Sequence, residues 1–341
     1  MATKNAKNII RQNNLLLVQQ QFFQAGKLFA SDLVKKTGIS MVTIQSLLKE
    51  LLEKQIIFEG EIIQREMGRP AVAYHFNYEK EQNLLLCIRE KQGQLIIESL
   101  VTNLAGKIAA KEIIDFSQIS LPRFLEITQQ QLQANPQVQQ IGIFFPGKVA
   151  NDVVQSSWFE KFNGWHFQAE IQKIANIPVF VQNDAHLLTI GYCLAEKLSL
   201  QETYVGLYYP LKSMPGITLF AHNQLIEGNL ALAGEAKFLP GFINQLLPQT
   251  GQALATRLAE IIPFYNAAIA PKCFIITSPV AESLLLKEIT ENQILAQQPN
   301  RPLIAFVSDF QRCMILGLHW LIYRDTPYDL AEVGYLESVE S

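Results

Sequence analysis

The chain has 341 residues, 49% of them hydrophobic and 17% charged, which is enough for two or three domains with large cores. A net charge of −3 excludes a strongly basic or acidic protein, and the four scattered cysteines (Cys87, Cys193, Cys273, Cys313) form no Cys-x-x-Cys pair, so neither a zinc ribbon nor a dithiol redox motif is indicated. The first residues lack an apolar signal core and no apolar run is long enough to span a bilayer, so a reduced, cytoplasmic protein with no membrane partner is expected. Charge is unevenly spread: residues 1–80 carry 11 Lys and Arg against 7 Asp and Glu, and the remainder 17 against 24. A basic head on an acidic body suits a small nucleic-acid-binding module joined to a domain of another kind, and so modest an excess calls for a dimer to supply enough phosphate contacts.

A first helix is predicted over 9–25, with Leu15, Leu16, Leu17, Phe22 and Phe23 as its apolar contacts. Asp32-Leu33-Val34 opens a short second helix, and Thr37-Gly38-Ile39-Ser40 makes a tight turn. Gly38 suits a position with positive φ, Ile39 plugs the angle between helices, and Ser40 caps the next helix through its hydroxyl. In that third helix Ile44, Leu47, Leu48, Leu51 and Leu52 share one apolar face. Thr43, Gln45, Ser46 and Lys49 project from the other side, as base-edge and phosphate contacts or as a plain solvated face. The order is that of a helix-turn-helix, which places its second helix in the DNA major groove.

A hairpin follows. Ile56-Ile57-Phe58 and Ile62-Ile63 flank Glu59-Gly60-Glu61, and Ala73-Tyr74-His75-Phe76 forms a further strand after Gly68-Arg69-Pro70. Helix-turn-helix plus ribbon is a winged helix. Arg65 and Arg69 lie in or after its wing, and Pro70 biases Arg69 toward an extended shape that fits a narrow minor groove. A plain Gly-Pro turn with an exposed arginine is the alternative.

Residues 77–83 read as a polar linker, and then the pattern changes. Strands are predicted at Leu84–Ile88, Leu95–Val101, Lys107–Phe116, Ile141–Phe145, Val179–Val181, 204–209, 216–221 and 273–277, and helices at 120–134, 167–175, from Asn183-Asp184 through Leu198, 251–269 and 308–323. A three-strand meander followed by alternating helices and strands, repeated in the second half, predicts two related α/β lobes with a cleft between them.

At this point the chain resembles the ROK family of sugar kinases and sugar-responsive repressors, in its repressor branch (xylose-repressor-like). The head carries Asp32-Leu33-Val34, Thr37-Gly38-Ile39-Ser40 and Gly68-Arg69-Pro70-Ala71. The body carries Gly142-Ile143-Phe144-Phe145-Pro146-Gly147-Lys148-Val149, like the family's Gly-Ile-Gly-x-Pro-Gly-x-Val, and Asn163-Gly164-Trp165. It also carries Ile177-Pro178-Val179-Phe180-Val181-Gln182-Asn183-Asp184-Ala185, like Pro-Val-x-x-x-Asn-Asp-Ala, and Gly228 with Ala233-Gly234-Glu235. The resemblance implies an α/β body of two actin/hexokinase-like lobes (the ROK fold) with an N-terminal winged helix-turn-helix domain. The expected boundaries are 1–76 for the head, 77–83 for the linker and 84–341 for the body, with lobe one about 84–182 plus the C-terminal helix and lobe two about 183–307. It implies a sugar pocket between the lobes, with Asn183 and Asp184 on sugar hydroxyls, Asn163 nearby and Glu235 closing from the other side. In family kinases the residue matching Asp184 is the general base. From the residues alone, Asn183-Asp184 is equally a helix N-cap and Glu235 a surface carboxylate.

The departures narrow the expectation. The family's Asp-x-Gly-Gly-Thr phosphate loop is replaced by Ile88-Arg89-Glu90-Lys91-Gln92-Gly93, its Gly-Thr-Gly-Ile-Gly-Gly-Gly loop by Tyr209-Pro210-Leu211-Lys212-Ser213-Met214-Pro215-Gly216-Ile217, and its adenosine-side Gly-Gly by Thr277-Ser278-Pro279. Such sequences do not offer a glycine N–H cradle, so neither ATP binding nor kinase activity is expected, and no cofactor. The family's zinc histidine is matched by Phe238 and residues 236–250 contain no cysteine, so no metal is expected. His75, His166, His222 and His319 show no ligand spacing, and His186 either lines the pocket or lies on a helix surface. The expectation is a dimeric repressor of carbohydrate-utilisation genes that binds a double-stranded DNA operator, with a sugar or sugar-phosphate effector. The alternatives are a sugar kinase with an appended head, and a regulator whose body binds a protein or no ligand.

Overall fold

The computed structural model describes residues 2–64, 70–157, 159–210, 214–239 and 246–330. Arg65 and Arg69 of the expected wing lie outside them.

The chain begins with α1 (Ala2–Ala25), β1 (Lys27–Phe29), α2 (Ala30–Thr37), α3 (Met41–Glu53), β2 (Ile57–Ile63) and β3 (Ala71–Phe76). Gly38 ends α2 at φ 71°, and its N–H donates to the Val34 carbonyl. Ser40 opens α3 as its N-cap, accepting from the Thr43 N–H at 3.3 Å. Behind α3, Ile44, Leu47, Leu48 and Leu51 pack with Val18, Phe22 and Phe23 of α1 and with Leu33 of α2. The strands form an antiparallel sheet in the order β1-β3-β2.

This head is seated on the rest of the chain by an aromatic junction. Phe23 packs against Phe76, Tyr78, His319 and Tyr328 with ring centroids 5.2–6.0 Å apart. The Tyr78 hydroxyl donates to the Phe23 carbonyl at 2.6 Å. Residues 77–83 are therefore built into the junction: Tyr78–Lys80 is a 3-10 turn and the next strand begins at Gln82.

Two five-stranded sheets follow. The first contains β4 (Gln82–Lys91), β5 (Gln94–Asn103), β6 (Ile108–Asp115), β7 (Val138–Phe145) and, after the hairpin β8 (Gly147–Ala150) and β9 (Val153–Ser157), β10 (Val179–Asn183). Helices α4 (Leu121–Ala134) and α5 (Phe167–Gln172) lie between these strands in sequence, and α6 (Asp184–Ala195) follows. The second sheet contains β11 (Thr203–Tyr208), β12 (Gly216–Ala221), β13 (Gln224–Leu225), β14 (Cys273–Thr277) and β15 (Leu303–Phe306). With it go α7 (Gly251–Ile269), α8 (Glu282–Glu291) and α9 (Gln293–Gln297), while the closing α10 (Phe310–Tyr323) returns to pack on β7 of the first sheet.

The strand orders, β6-β5-β4-β7-β10 and β13-β12-β11-β14-β15, are the same pattern twice. In each, the first strand is central, the next two turn back antiparallel on one side, and the last two run parallel on the other. Each sheet then delivers its chain into a helix, α6 or α10, and these two pack against each other between the lobes. Gly191 and Gly317 hold the crossing: a methyl group on Gly191 would strike the Cys313 carbonyl, and one on Gly317 the Leu187 carbonyl. Each glycine is the eighth residue of its helix. The duplication thus extends to the contact that joins the halves.

Candidate functional site

The cleft between the lobes is organised around the start of α6. Strand β10 ends at Asn183, whose side-chain oxygen accepts from the N–H groups of Ala185 (3.1 Å) and His186 (3.3 Å). Its amide donates to the Gly147 carbonyl at 3.0 Å, tying α6 to the start of β8. The carboxamide of Asn183 is thus largely engaged as an N-cap and a tether.

Asp184 is the first residue of α6 and is buried. One oxygen accepts from the Ala185 N–H at 2.8 Å. Burial pushes its carboxyl up from the usual 3.8 to about 7, against the opposing pulls of the Ala185 N–H and the Lys148 charge.

Lys148, on β8, is only 3% exposed. Its ammonium donates to His186 Nε2 at 3.1 Å and to the Ala233 carbonyl at 3.2 Å. Burial pulls it below the ordinary lysine range, and Glu235, Asp184 and Glu227 oppose that pull. His186 is 1% exposed, which settles its place: it lies inside the cleft, not on the helix surface. Burial and then Lys148 hold the imidazole neutral. With Nε2 accepting from Lys148, Nδ1–H donates to the Thr218 hydroxyl at 3.0 Å on β12. Gln182 adds a second link, donating to Glu227 at 3.1 Å.

Glu235 is half-buried, and its backbone bridges to Gly216. Asn163 is exposed in the turn after a 3-10 segment, and no described side-chain hydrogen bond joins it to Lys148 or Asp184. The cleft therefore gathers Asn183, Asp184 and Glu235, leaves Asn163 apart, and adds Lys148 and His186. Phe238 is 65% exposed.

The first turn expected to hold phosphate is closed by backbone pairing and side chains, and the second is fixed where it leaves β11. β4 and β5 pair as far as Lys91 and Gln94 across a two-residue turn, Gln92 (φ 53°) and Gly93 (φ 81°). The N–H groups of β4 thus feed a ladder up to the tip. Arg89 is committed to buried Glu98, donating through Nε and Nη2 at 2.9 and 2.5 Å, with Lys111 on the other oxygen. The Arg89 guanidinium also covers the Phe310 ring at 5.5 Å, and Tyr208 packs on that ring from the second lobe at 6.3 Å. The loop after β11 is pinned at its start: the Tyr209 N–H donates to the Thr277 carbonyl and the Ser278 hydroxyl to the Tyr209 carbonyl, each at 2.8 Å. Residues 211–213 of that loop lie outside the described ones.

In the head, Ser40, Gln45, Ser46 and Lys49 are exposed and Thr43 is half-buried. The Ser40 and Thr43 hydroxyls bond each other at 2.9 Å, so the cap engages both. Val42, 80% exposed, shares the start of α3 with them. On the hairpin, Lys27 and His75 pair with Glu61, which holds that carboxyl down at about 2.

No protein-family model matches the sequence, nor does the sequence of any curated protein. Solved structures do match. A ROK family transcriptional regulator, described as a homologue of the E. coli Mlc protein, is 19% identical with a TM-score of 0.62, over 94% of this chain and 98% of that one. A ROK family glucokinase from Streptomyces griseus, solved with glucose and AMPPNP, is 13% identical with a TM-score of 0.56, over 70% of this chain and 98% of that one. A ROK hexokinase from Thermus thermophilus is 12% identical with a TM-score of 0.52, again over 70% and 98%. At these identities the likeness is one of fold. The chain has the ROK fold, two actin/hexokinase-like lobes; the regulator spans nearly all of it, whereas each kinase spans 70%. Among the described residues no helix is long and apolar enough to cross a membrane.

Proposed function

We propose that this protein is a DNA-binding transcriptional regulator, a cytoplasmic homodimer that represses carbohydrate-utilisation genes and has no kinase activity. The observation that carries the reading is the solvent-facing side of α3: Gln45, Ser46 and Lys49 stand exposed at the front of a helix whose back is buried in the head. Gln45 and Ser46 contact base edges, Lys49 a phosphate, and Ser40 and Thr43 set the helix start. Arg65 and Arg69 are assigned to the wing. Two heads carried by a dimer read a pseudo-palindromic site. The full-length likeness to a ROK regulator supports this reading, as does the closed Gln92-Gly93 turn against ATP.

The input is assigned to the interlobe cleft, with Asn183, Asp184 and Glu235 facing a sugar or sugar phosphate and Asn163 as a peripheral contact. A ligand acts there only through different affinities for two lobe arrangements. A second reading, a body that takes no small molecule, is favoured by one observation: Lys148 already places its ammonium within electrostatic reach of both Asp184 and Glu235. Selecting host genomic fragments on the purified protein, alongside a coupled assay for ATP-dependent sugar phosphorylation, tests the proposal. Retention of a defined dyad site without turnover supports it, and sugar phosphorylation without sequence-selective retention refutes it.

A further inference from the structure

We infer that Lys148 is an internal substitute for a bound ligand, its side chain strapping the first lobe to the second and closing the cleft in the ligand-free protein. The inference deepens the cleft assignment and rests on it for the identity of the site, but not on the DNA reading.

The geometry is that of a bridge. The residue leaves β8, beside the first sheet, and its Nζ ends on the Ala233 carbonyl, in the segment that pairs with β12 of the second sheet through the Glu235–Gly216 bridge. Its other acceptor, His186, is held by Thr218 on β12. A buried ammonium is tolerated only where acceptors and opposite charges surround it. Here it has two acceptors, while Glu235, Asp184 and Glu227 supply the charge. Asp184 and Glu235 are also the carboxylates assigned to a sugar, so the Lys148 ammonium lies within electrostatic reach of the groups that sugar hydroxyls would meet. An effector then competes with the strap, and its apparent affinity is reduced by the fraction of molecules with the strap closed.

The test is hydrogen exchange of the full chain, wild type against Lys148→Met, which keeps the aliphatic stem and removes the donors. Exchange at 228–236 and at the start of α6 is expected to rise at least about tenfold, or about 1.4 kcal/mol of opening free energy, with the β4–β5 hairpin and the head unchanged. Glucose, used as the probe, is expected to bind Lys148→Met more tightly than wild type. Unchanged exchange at 228–236, or tighter glucose binding by wild type, overturns the strap. If the variant does not fold, a crystal structure of the sugar-free wild type decides. Lys148 bonded to both His186 and Ala233 supports the inference, and an open cleft overturns it. None of these readouts involves DNA, so failure of the strap is distinguishable from failure of the regulator reading.

Discussion

Asp184→Asn is expected to stabilise the protein, by an amount that grows as pH rises above the ordinary carboxylate range. The folded carboxyl titrates near 7 against an ordinary value of 3.8. A group whose pKa is raised on folding binds more protons in the folded chain between those two values, so stability falls as pH rises from about 4 to about 7. At 1.36 kcal/mol per pH unit the full loss is about 4 kcal/mol. That figure already contains the opposing pulls of the Ala185 N–H and Lys148, because both act on the folded value. Asparagine keeps an acceptor for the Ala185 N–H and carries no charge, so its gain should be near zero at pH 4 and rise to several kcal/mol at pH 8. The assay is urea unfolding of both proteins across that range, read as midpoint and slope. An advantage no larger at pH 8 than at pH 5 would refute the reasoning. It would mean that Lys148 compensates the buried carboxylate fully.

The helix crossing gives a paired test. Gly317→Ala gains about 0.5–1 kcal/mol of helix propensity but drives a methyl into the Leu187 carbonyl, so a net loss of about 1–2 kcal/mol is expected in urea. Gly251→Ala, with no heavy atom within 4 Å of the added carbon, should be neutral to stabilising; equal losses at both sites would contradict the crossing. Phe23→Ala empties the fully buried centre of the head–body junction and should cost about 3–5 kcal/mol, with separate head and body transitions in calorimetry; one unshifted transition would argue against a shared core. In the head, Lys49→Ala should weaken DNA binding uniformly and lower the salt slope by about 1, while Gln45→Ala alters base preference; unchanged binding by both would remove α3 as the reading surface.

Much of the fold was legible because local chemistry and burial agree. Ser40 caps α3, and the period of Ile44, Leu47, Leu48 and Leu51 matches its buried face. The runs at 141–145 and 273–276 are buried strands, and 179–181 is a strand buried at Val179 and half-buried at Phe180 and Val181. The β8–β9 hairpin was missed although its turn, Asn151-Asp152, carries residues suited to positive φ, which both adopt. β15 was missed because four residues after Pro302 at a sheet edge leave little pattern to read. The helix predicted through Ala175 stops at Gln172, short of Pro178. At the cleft, the Pro-Gly and Asn-Asp segments were legible as motifs, but Lys148 was not. Its acceptors lie 38 and 85 residues away, and only the packed lobes decide that a lysine there is buried. Asn163 shows the converse: its neighbours Phe162 and Phe167 are core residues, while its own side chain is left exposed.

The central claim, that the output of this chain is sequence-specific DNA binding, is tested most directly by sequencing the host genomic fragments that the purified protein retains at physiological salt. The account predicts enrichment of a site with two related half-sites next to carbohydrate-utilisation genes, lost in the Gln45→Ala, Lys49→Ala double variant. Retention without sequence preference, or equal retention by the double variant, would contradict it.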